Sequence, residues 1–246
     1  MTNKDTLQLT LGHLYPDHLN IYGDRGNLVA LYQRAAWRGI TLNVVPLPPD
    51  SPVDPEQFDL LFMGGGQDTQ QIKVCQDLQA IKAEGIKKAA EIGVVMLGIC
   101  GGYQLMGHYY QPHEGDKLPG LSLIDAYTVA GSKRFIGNVI IKRPDGSTVV
   151  GFENHSGLTY LGEGLSPLGR VISGYGNNGQ DGTEGAISGN LYGSYLHGSL
   201  LPKNPDLTDE LLLKALRHRY GETMTLTPLL NTLENKAHEK VFSFKQ

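Results

Sequence analysis

The chain predicts an α/β fold: a mostly parallel central sheet flanked by helices, with added short β elements in the C-terminal half. Three observations carry this. The first 100 residues alternate nearly continuous Val/Ile/Leu runs with stretches whose apolar residues recur every three or four positions, as buried parallel strands joined by amphipathic helices do. Glycine clusters follow two of those runs directly, Gly64-Gly65-Gly66 and Gly98-Ile99-Cys100-Gly101-Gly102, where the strands of such a sheet hand over to loops. After Gly120 the pattern shortens to β-like pieces.

Taken in order, apolar runs place strands at residues 7–11, 40–47, 60–63 and 94–99, with helices between them at 27–38 and 70–92. A further helix opens just after Cys100. Short strands are expected at 121–128, 135–142, 148–152, 171–174 and 186–196, and the glycine-rich stretch 174–182 reads as a turn or loop. Two helices close the chain, at 208–220 with Thr208 as N-cap before an acidic first turn, and at 227–238. No repeat or long linker divides the 246 residues, so a single domain spanning 1–246 is expected, with a core at about 7–220 and a helical tail at about 221–246.

Composition narrows the function classes. A net charge of −4 without a basic stripe offers nucleic acid or an anionic membrane no electrostatic footing. No apolar run approaches the roughly 20 residues that span a bilayer, and the polar start Met1–Asp5 lacks a signal-peptide pattern. The expected location is the cytoplasm, not embedded in a membrane, with both cysteines reduced. Cys75, in a polar helical stretch, reads as incidental.

Cys100 carries the chemistry. Its flanking residues copy the nucleophile elbow G-x-S-x-G with sulfur in place of oxygen, and the helix that follows presents N–H groups suited to a thiolate and a developing oxyanion. A buried structural cysteine is the competing reading. Gly64-Gly65-Gly66 lets backbone N–H groups approach a ligand, and one of them could pair with the Gly101 N–H as an oxyanion hole; a tight or phosphate-binding turn is the alternative. No Gly-Lys-Ser or Gly-Lys-Thr exists, so a Walker P-loop is not expected. A cysteine nucleophile needs a base. Among eight histidines, His197 ends a β-like run and precedes a glycine, and His155 is the runner-up. His13, His18, His108, His113, His218 and His238 read as loop or helix-surface residues, and no spacing suggests a metal site.

Together, Gly64-Gly65-Gly66, Gly-Ile-Cys-Gly-Gly-Tyr-Gln at 98–104 and Tyr-Leu-His-Gly at 195–198 resemble the class I glutamine amidotransferases, in the cobyric-acid-synthase-like branch. Further blocks at 20–27, 134–137, 151–155 and 174–178 extend the likeness over most of the chain, toward the glutaminase subunits of lipid II isoglutaminyl synthases. The resemblance implies a single-domain class I amidotransferase fold. It makes Cys100 the nucleophile and His197 the base and later acid. Arg134 would bind the glutamine carboxylate, Gly65 or Gly66 with Gly101 would form the oxyanion hole, and Gln104 would touch L-glutamine or cap the loop.

Ser199 stands where the wider class carries a carboxylate two residues after the histidine. The resemblance implies that a partner acid completes the set and that the chain alone turns over slowly; Asp24, Asp68 and Glu153 remain internal alternatives. No cofactor is expected in this chain. It also implies a Mur-ligase-like synthetase partner (MurT), with ATP and magnesium on that subunit, which takes the ammonia to amidate the D-glutamate α-carboxylate of lipid II. An amidotransferase for corrinoid biosynthesis is the runner-up, although those enzymes carry an ATP-binding domain ahead of the glutaminase and here the first strand begins by about residue 7. A non-catalytic α/β binding protein or a redox-sensing cysteine protein would leave Arg134, His197 and the glycine loop without a shared purpose.

Overall fold

Alternating strands and helices fill the first hundred residues: β1 (Gln8–Leu14), α1 (Arg25–Ala36), β2 (Thr41–Leu47), β3 (Leu60–Met63), α2 (Asp68–Asp77), α3 (Ala83–Glu91), β4 (Val95–Ile99) and α4 (Gly101–Met106). The second half adds β5 (Tyr109–Gln111), β6 (Leu118–Pro119), β7 (Ala126–Lys142), β8 (Thr148–Leu161), β9 (Gly169–Ser173), β10 (Thr183–Glu184), β11 (Ala186–Ser188), β12 (Leu191–Ser194), α5 (Pro205–Tyr220) and α6 (Thr232–Phe242). This computed structural model describes residues 7–243; the polar start Met1–Asp5 and the end of the expected tail lie outside them.

The first sheet has the order β11-β12-β4-β3-β1-β2, parallel throughout except for the β11–β12 hairpin. β3 and β4 are buried at every position, which is why they read as unbroken apolar runs. The second sheet, β10-β9-β7-β5-β6 with β8 on β7, is mostly antiparallel. One continuous core joins the two, from Leu11, Phe62 and Leu97 to Val139, Ile141 and Val149.

Several elements differ from expectation for identifiable reasons. The strands expected at 121–128 and 135–142 are one 17-residue strand, β7, whose register against the 14-residue β8 shifts between Ala130 and Phe135. Exposed side chains at that irregularity hide the continuity from an apolar pattern. The helix expected at 70–92 is interrupted by a π turn at Leu78–Lys82. Fully buried Lys82 there donates to Asp77 Oδ2 and the Pro48 carbonyl, each at 2.8 Å. Thr208 is not an N-cap: Pro205 occupies the first turn of α5, and the buried Thr208 hydroxyl donates to the carbonyls of Leu201 and Asn204. The last helix starts at Thr232 rather than 227. His13, expected on a surface, is buried in β1, where burial pushes its pKa down to about 4 and leaves the ring neutral.

Candidate active site

Four neighbouring strands, β12-β4-β3-β1, point their carboxyl ends the same way, with Ser194 beside Ile99, Gly98 beside Met63 and Met63 beside Leu14. His197 follows β12, Cys100 follows β4, Gly64–Gly66 follow β3, and Asp24 lies in the β1–α1 loop at the start of α1. Residues spread over 173 positions thus meet at one edge of the sheet, where open α/β folds place their sites.

Cys100 is buried and held at φ 49°, ψ −105°, a backbone conformation that an L-residue adopts only under constraint. Its N–H donates to the Ser194 carbonyl at 2.8 Å, and the Gly102 N–H donates to the Gly64 carbonyl at 3.1 Å. A Cβ at Gly102 would lie 2.2 Å from the Met63 carbonyl oxygen, so the elbow can seat against β3 only with glycine there. This is the sharp strand-to-helix turn expected from the sequence.

His197 and Asp24 are both fully buried, and His197 Nδ1 lies 3.1 Å from Asp24 Oδ1. Because a carboxylate only accepts, Nδ1 carries the proton and Nε2 is turned toward the chemistry. Nε2 is left for the Cys100 side of the ring, and the neighbouring Cys100 acts on it electrostatically. Burial opposes a charged imidazole, but the charge of Cys100 and the hydrogen bond His197 donates to Asp24 outweigh it and hold the His197 pKa well above the ordinary histidine range.

The carboxylate that Ser199 does not supply therefore comes from within the chain. Ser199 instead donates its hydroxyl to the Gly23 carbonyl, bracing the loop that presents Asp24. The β1–α1 loop delivers to Nδ1 the carboxylate of Asp24, one of the three internal candidates, which is remote in sequence from His197. The other two internal candidates are engaged elsewhere. Asp68 accepts from the Tyr110 hydroxyl at 3.0 Å, and Glu153 accepts from the Tyr175 and Gly176 N–H groups.

Of the two glycines considered for the oxyanion hole, Gly65 is already committed: its N–H donates to Asp24 Oδ2 at 2.6 Å. Gly66 and Gly101 N–H groups have no acceptor among the described residues, and a Cβ at Gly101 would lie 3.0 Å from the Gly66 nitrogen. The Gly66 and Gly101 backbones thus pack against each other beside Cys100. A cavity of about 360 Å³ opens there, lined by Cys100, Gly66, Gln104, Arg134, Asn154 and Ile21, among others. Exposed Arg134 stands at its mouth, in the irregular part of β7. Its Nε donates to Asn154 Oδ1 at 2.7 Å and one terminal nitrogen to the Tyr22 hydroxyl at 3.2 Å.

Gln104 does not reach out as a free recognition group. Its oxygen accepts from Gln71 at 2.8 Å and its nitrogen donates to the Tyr195 hydroxyl at 3.1 Å, so it braces the cavity wall. His155, the runner-up base, also lines the cavity, but its Nδ1 is bonded to the Gly157 carbonyl and its ring stacks on Tyr195 at 3.6 Å. Cys75 is buried away from this edge, with its thiol against the Pro119 carbonyl. Tyr22 and Asn154 had no assigned role in the sequence reading, although both lie in segments it singled out; no local pattern connects either to Arg134.

This fold and site belong to a known class. The CobB/CobQ-like glutamine amidotransferase domain matches residues 10–205, and the chain is a member of that family. Within it the chain is 43% identical over 212 residues to the lipid II isoglutaminyl synthase (glutamine-hydrolyzing) subunit GatD of Staphylococcus aureus, covering 86% of each chain. It is 38% identical to the subunit of the same name from Streptococcus pneumoniae, over 97% of this chain and 92% of that one. A cobyric acid synthase from Pelotomaculum thermopropionicum is 36% identical, over 63% of this chain and 31% of its own length. Among solved structures, a glutamine amidotransferase from Thermotoga maritima superposes with a TM-score of 0.53 at 13% identity, covering 97% and 94% of the two chains. The glutaminase domain of Trypanosoma brucei CTPS, with bound acivicin, gives 0.52 at 12%, covering 89% and 96%. These two likenesses concern the fold.

Proposed function

We propose that the chain is the glutaminase subunit of a lipid II isoglutaminyl synthase, which hydrolyses L-glutamine to glutamate and passes the ammonia to a Mur-ligase-like partner of the MurT type. The observation that carries the chemistry is the convergence of Cys100, His197 and Asp24 beside two unengaged backbone N–H groups. The assignment to cell-wall amidation draws support from the two GatD relatives, which match nearly end to end, whereas the cobyric acid synthase relative is matched over less than a third of its length.

In this reading Arg134 receives the glutamine α-carboxylate through its planar fork of donors. The Cys100 thiolate attacks the side-chain amide carbon while the Gly66 and Gly101 N–H groups hold the oxyanion. His197 Nε2 protonates the departing ammonia, then takes a proton from the water that hydrolyses the thioester, with Asp24 fixing the ring and stabilising its charged form. Glutamate leaves, and the Cys100 thiolate and protonated His197 are regenerated. The partner would hold ATP and magnesium and activate the D-glutamate α-carboxylate of lipid II. Among the described residues no helix is long and apolar enough to cross a membrane, which accords with a subunit working in the cytoplasm.

The test is ammonia release from glutamine by the purified chain and by its complex with the ligase. Cys100→Ala and His197→Ala are each expected to abolish turnover with the fold intact, and Cys75→Ala to spare it. Normal ammonia release from Cys100→Ala would overturn the mechanism. Co-purification with a corrinoid-pathway synthetase in place of a Mur-ligase-like chain would overturn the pathway.

A further inference from the structure

The segment 20–27 stands out in the sequence, yet the reaction above uses only Asp24 from it. Tyr22, two residues earlier, touches both arms of the site. Its ring packs edge-on against the His197 imidazole, with centroids 5.1 Å apart at 81°, and its hydroxyl oxygen accepts from Arg134 at 3.2 Å. His197 is fully buried while Tyr22 is 40% exposed, so this ring covers the imidazole on its outer side. A hydroxyl that accepts from Arg134 retains its own proton, available to a carboxylate held by the same guanidinium.

The backbone gives a second, independent observation. Tyr22 sits at φ 54°, in the left-handed region, although the residue after it is a glycine also at positive φ. A bulky side chain in that region is strained and persists only where its surroundings hold it. Here the Ile21 N–H donates to the Gly65 carbonyl, the Asp24 N–H to the Ile21 carbonyl, and Ser199 to the Gly23 carbonyl. The same loop therefore grips the glycine loop after β3, the His197 imidazole and, through Tyr22, Arg134.

We propose that Tyr22 is a positioning residue that couples capture of the glutamine carboxylate at Arg134 to the orientation of His197. The inference rests on the glutaminase reading. Its hydroxyl acts on binding, by setting the guanidinium and completing the carboxylate's hydrogen bonds. Its ring acts on turnover, by fixing the imidazole and keeping water off it. Separating the two parts makes the idea testable.

Glutamine kinetics of the chain in complex with its ligase partner should be compared for wild type, Tyr22→Phe and Tyr22→Ala, all in a Cys75→Ala background. Tyr22→Phe keeps the ring and loses the hydroxyl, so KM should rise about tenfold, as for a lost hydrogen bond to a charged group, with kcat within about threefold. Tyr22→Ala should show the same rise in KM and, in addition, a kcat lower by ten- to a hundredfold. Alkylation of Cys100 by iodoacetamide without glutamine reads the thiol directly; it should slow in Tyr22→Ala and not in Tyr22→Phe. If Tyr22→Phe has the wild-type KM, or if the two variants are indistinguishable in kcat and alkylation, the coupling is wrong. A wild-type complex that releases no ammonia overturns the glutaminase reading and this inference with it, whereas an active one with unaffected Tyr22 variants overturns this inference alone.

Discussion

Asp24 uses both of its oxygens, one on His197 Nδ1 and one on the Gly65 N–H, so a single buried carboxylate orients the imidazole and fixes the glycine loop after β3. Replacing it by asparagine keeps the shape and removes the charge. The consequence for pH follows from the raised pKa of His197. In the proposed mechanism protonated imidazole is the acid that releases ammonia, so activity is expected to fall as pH rises through that pKa. Asp24 is one of the groups that raises it. Asp24→Asn should therefore move the alkaline limb of the kcat/KM profile to lower pH and reduce its plateau by on the order of 10²–10⁴-fold. A pH–rate profile checks this; an unmoved alkaline limb would mean that another acid sets the His197 proton.

Between the strands, the element that departs furthest from a simple pattern is the π turn joining α2 to α3. Lys82 is buried within it, paired with Asp77 and stacked over the Tyr15 ring at 4.7 Å, while Asp77 also accepts from the Tyr15 hydroxyl and the Asp50 N–H. These bonds tie the helical layer to the loops after β1 and β2. Lys82 offsets the cost of burying the Asp77 carboxylate, and the pair holds that carboxyl below its usual range although burial pushes the other way. Removing one partner strands the other. Lys82→Met is expected to destabilise the fold by about 3 kcal/mol or more, read by urea unfolding at neutral pH. The loss should shrink toward acid pH, because a carboxyl with a lowered folded pKa contributes stability that is present above its unfolded value and disappears as it protonates. A loss independent of pH would point to packing alone.

At the scale of the whole molecule, the proposed mechanism draws its nucleophile, base, carboxylate and oxyanion donors from one chain. Within this chain alone, His197 already has a carboxylate on Nδ1. The purified chain is expected to release ammonia from glutamine without a partner, and Asp24→Asn should lose the same factor alone and in the complex. Rescue of Asp24→Asn by the ligase subunit would mean that the partner contributes a second carboxylate to His197.

Legibility from the sequence followed the range of the interactions. The parallel core, the elbow at Cys100, the glycine loop and the strand-end position of His197 are local: each rests on residues within a few positions of one another, and backbone sterics alone force small residues into a tight turn. The length of β7 was hidden because its partner β8 and its register shift lie outside any apolar pattern. The choice of Asp24 over Asp68, Glu153 or a partner acid was hidden for the same reason, since 173 residues separate it from His197 and only the order β12-β4-β3-β1 brings them together. Gly65 and Gly66 are indistinguishable as letters; the bond from Gly65 to Asp24 decides which N–H is left for an oxyanion. The sequence by itself determined the chemical groups and the turns that expose them, because those are written in short-range sterics. Only the tertiary structure decided which group touches which, because hydrogen bonds between buried side chains depend on strand order and depth, quantities that one chain position does not record.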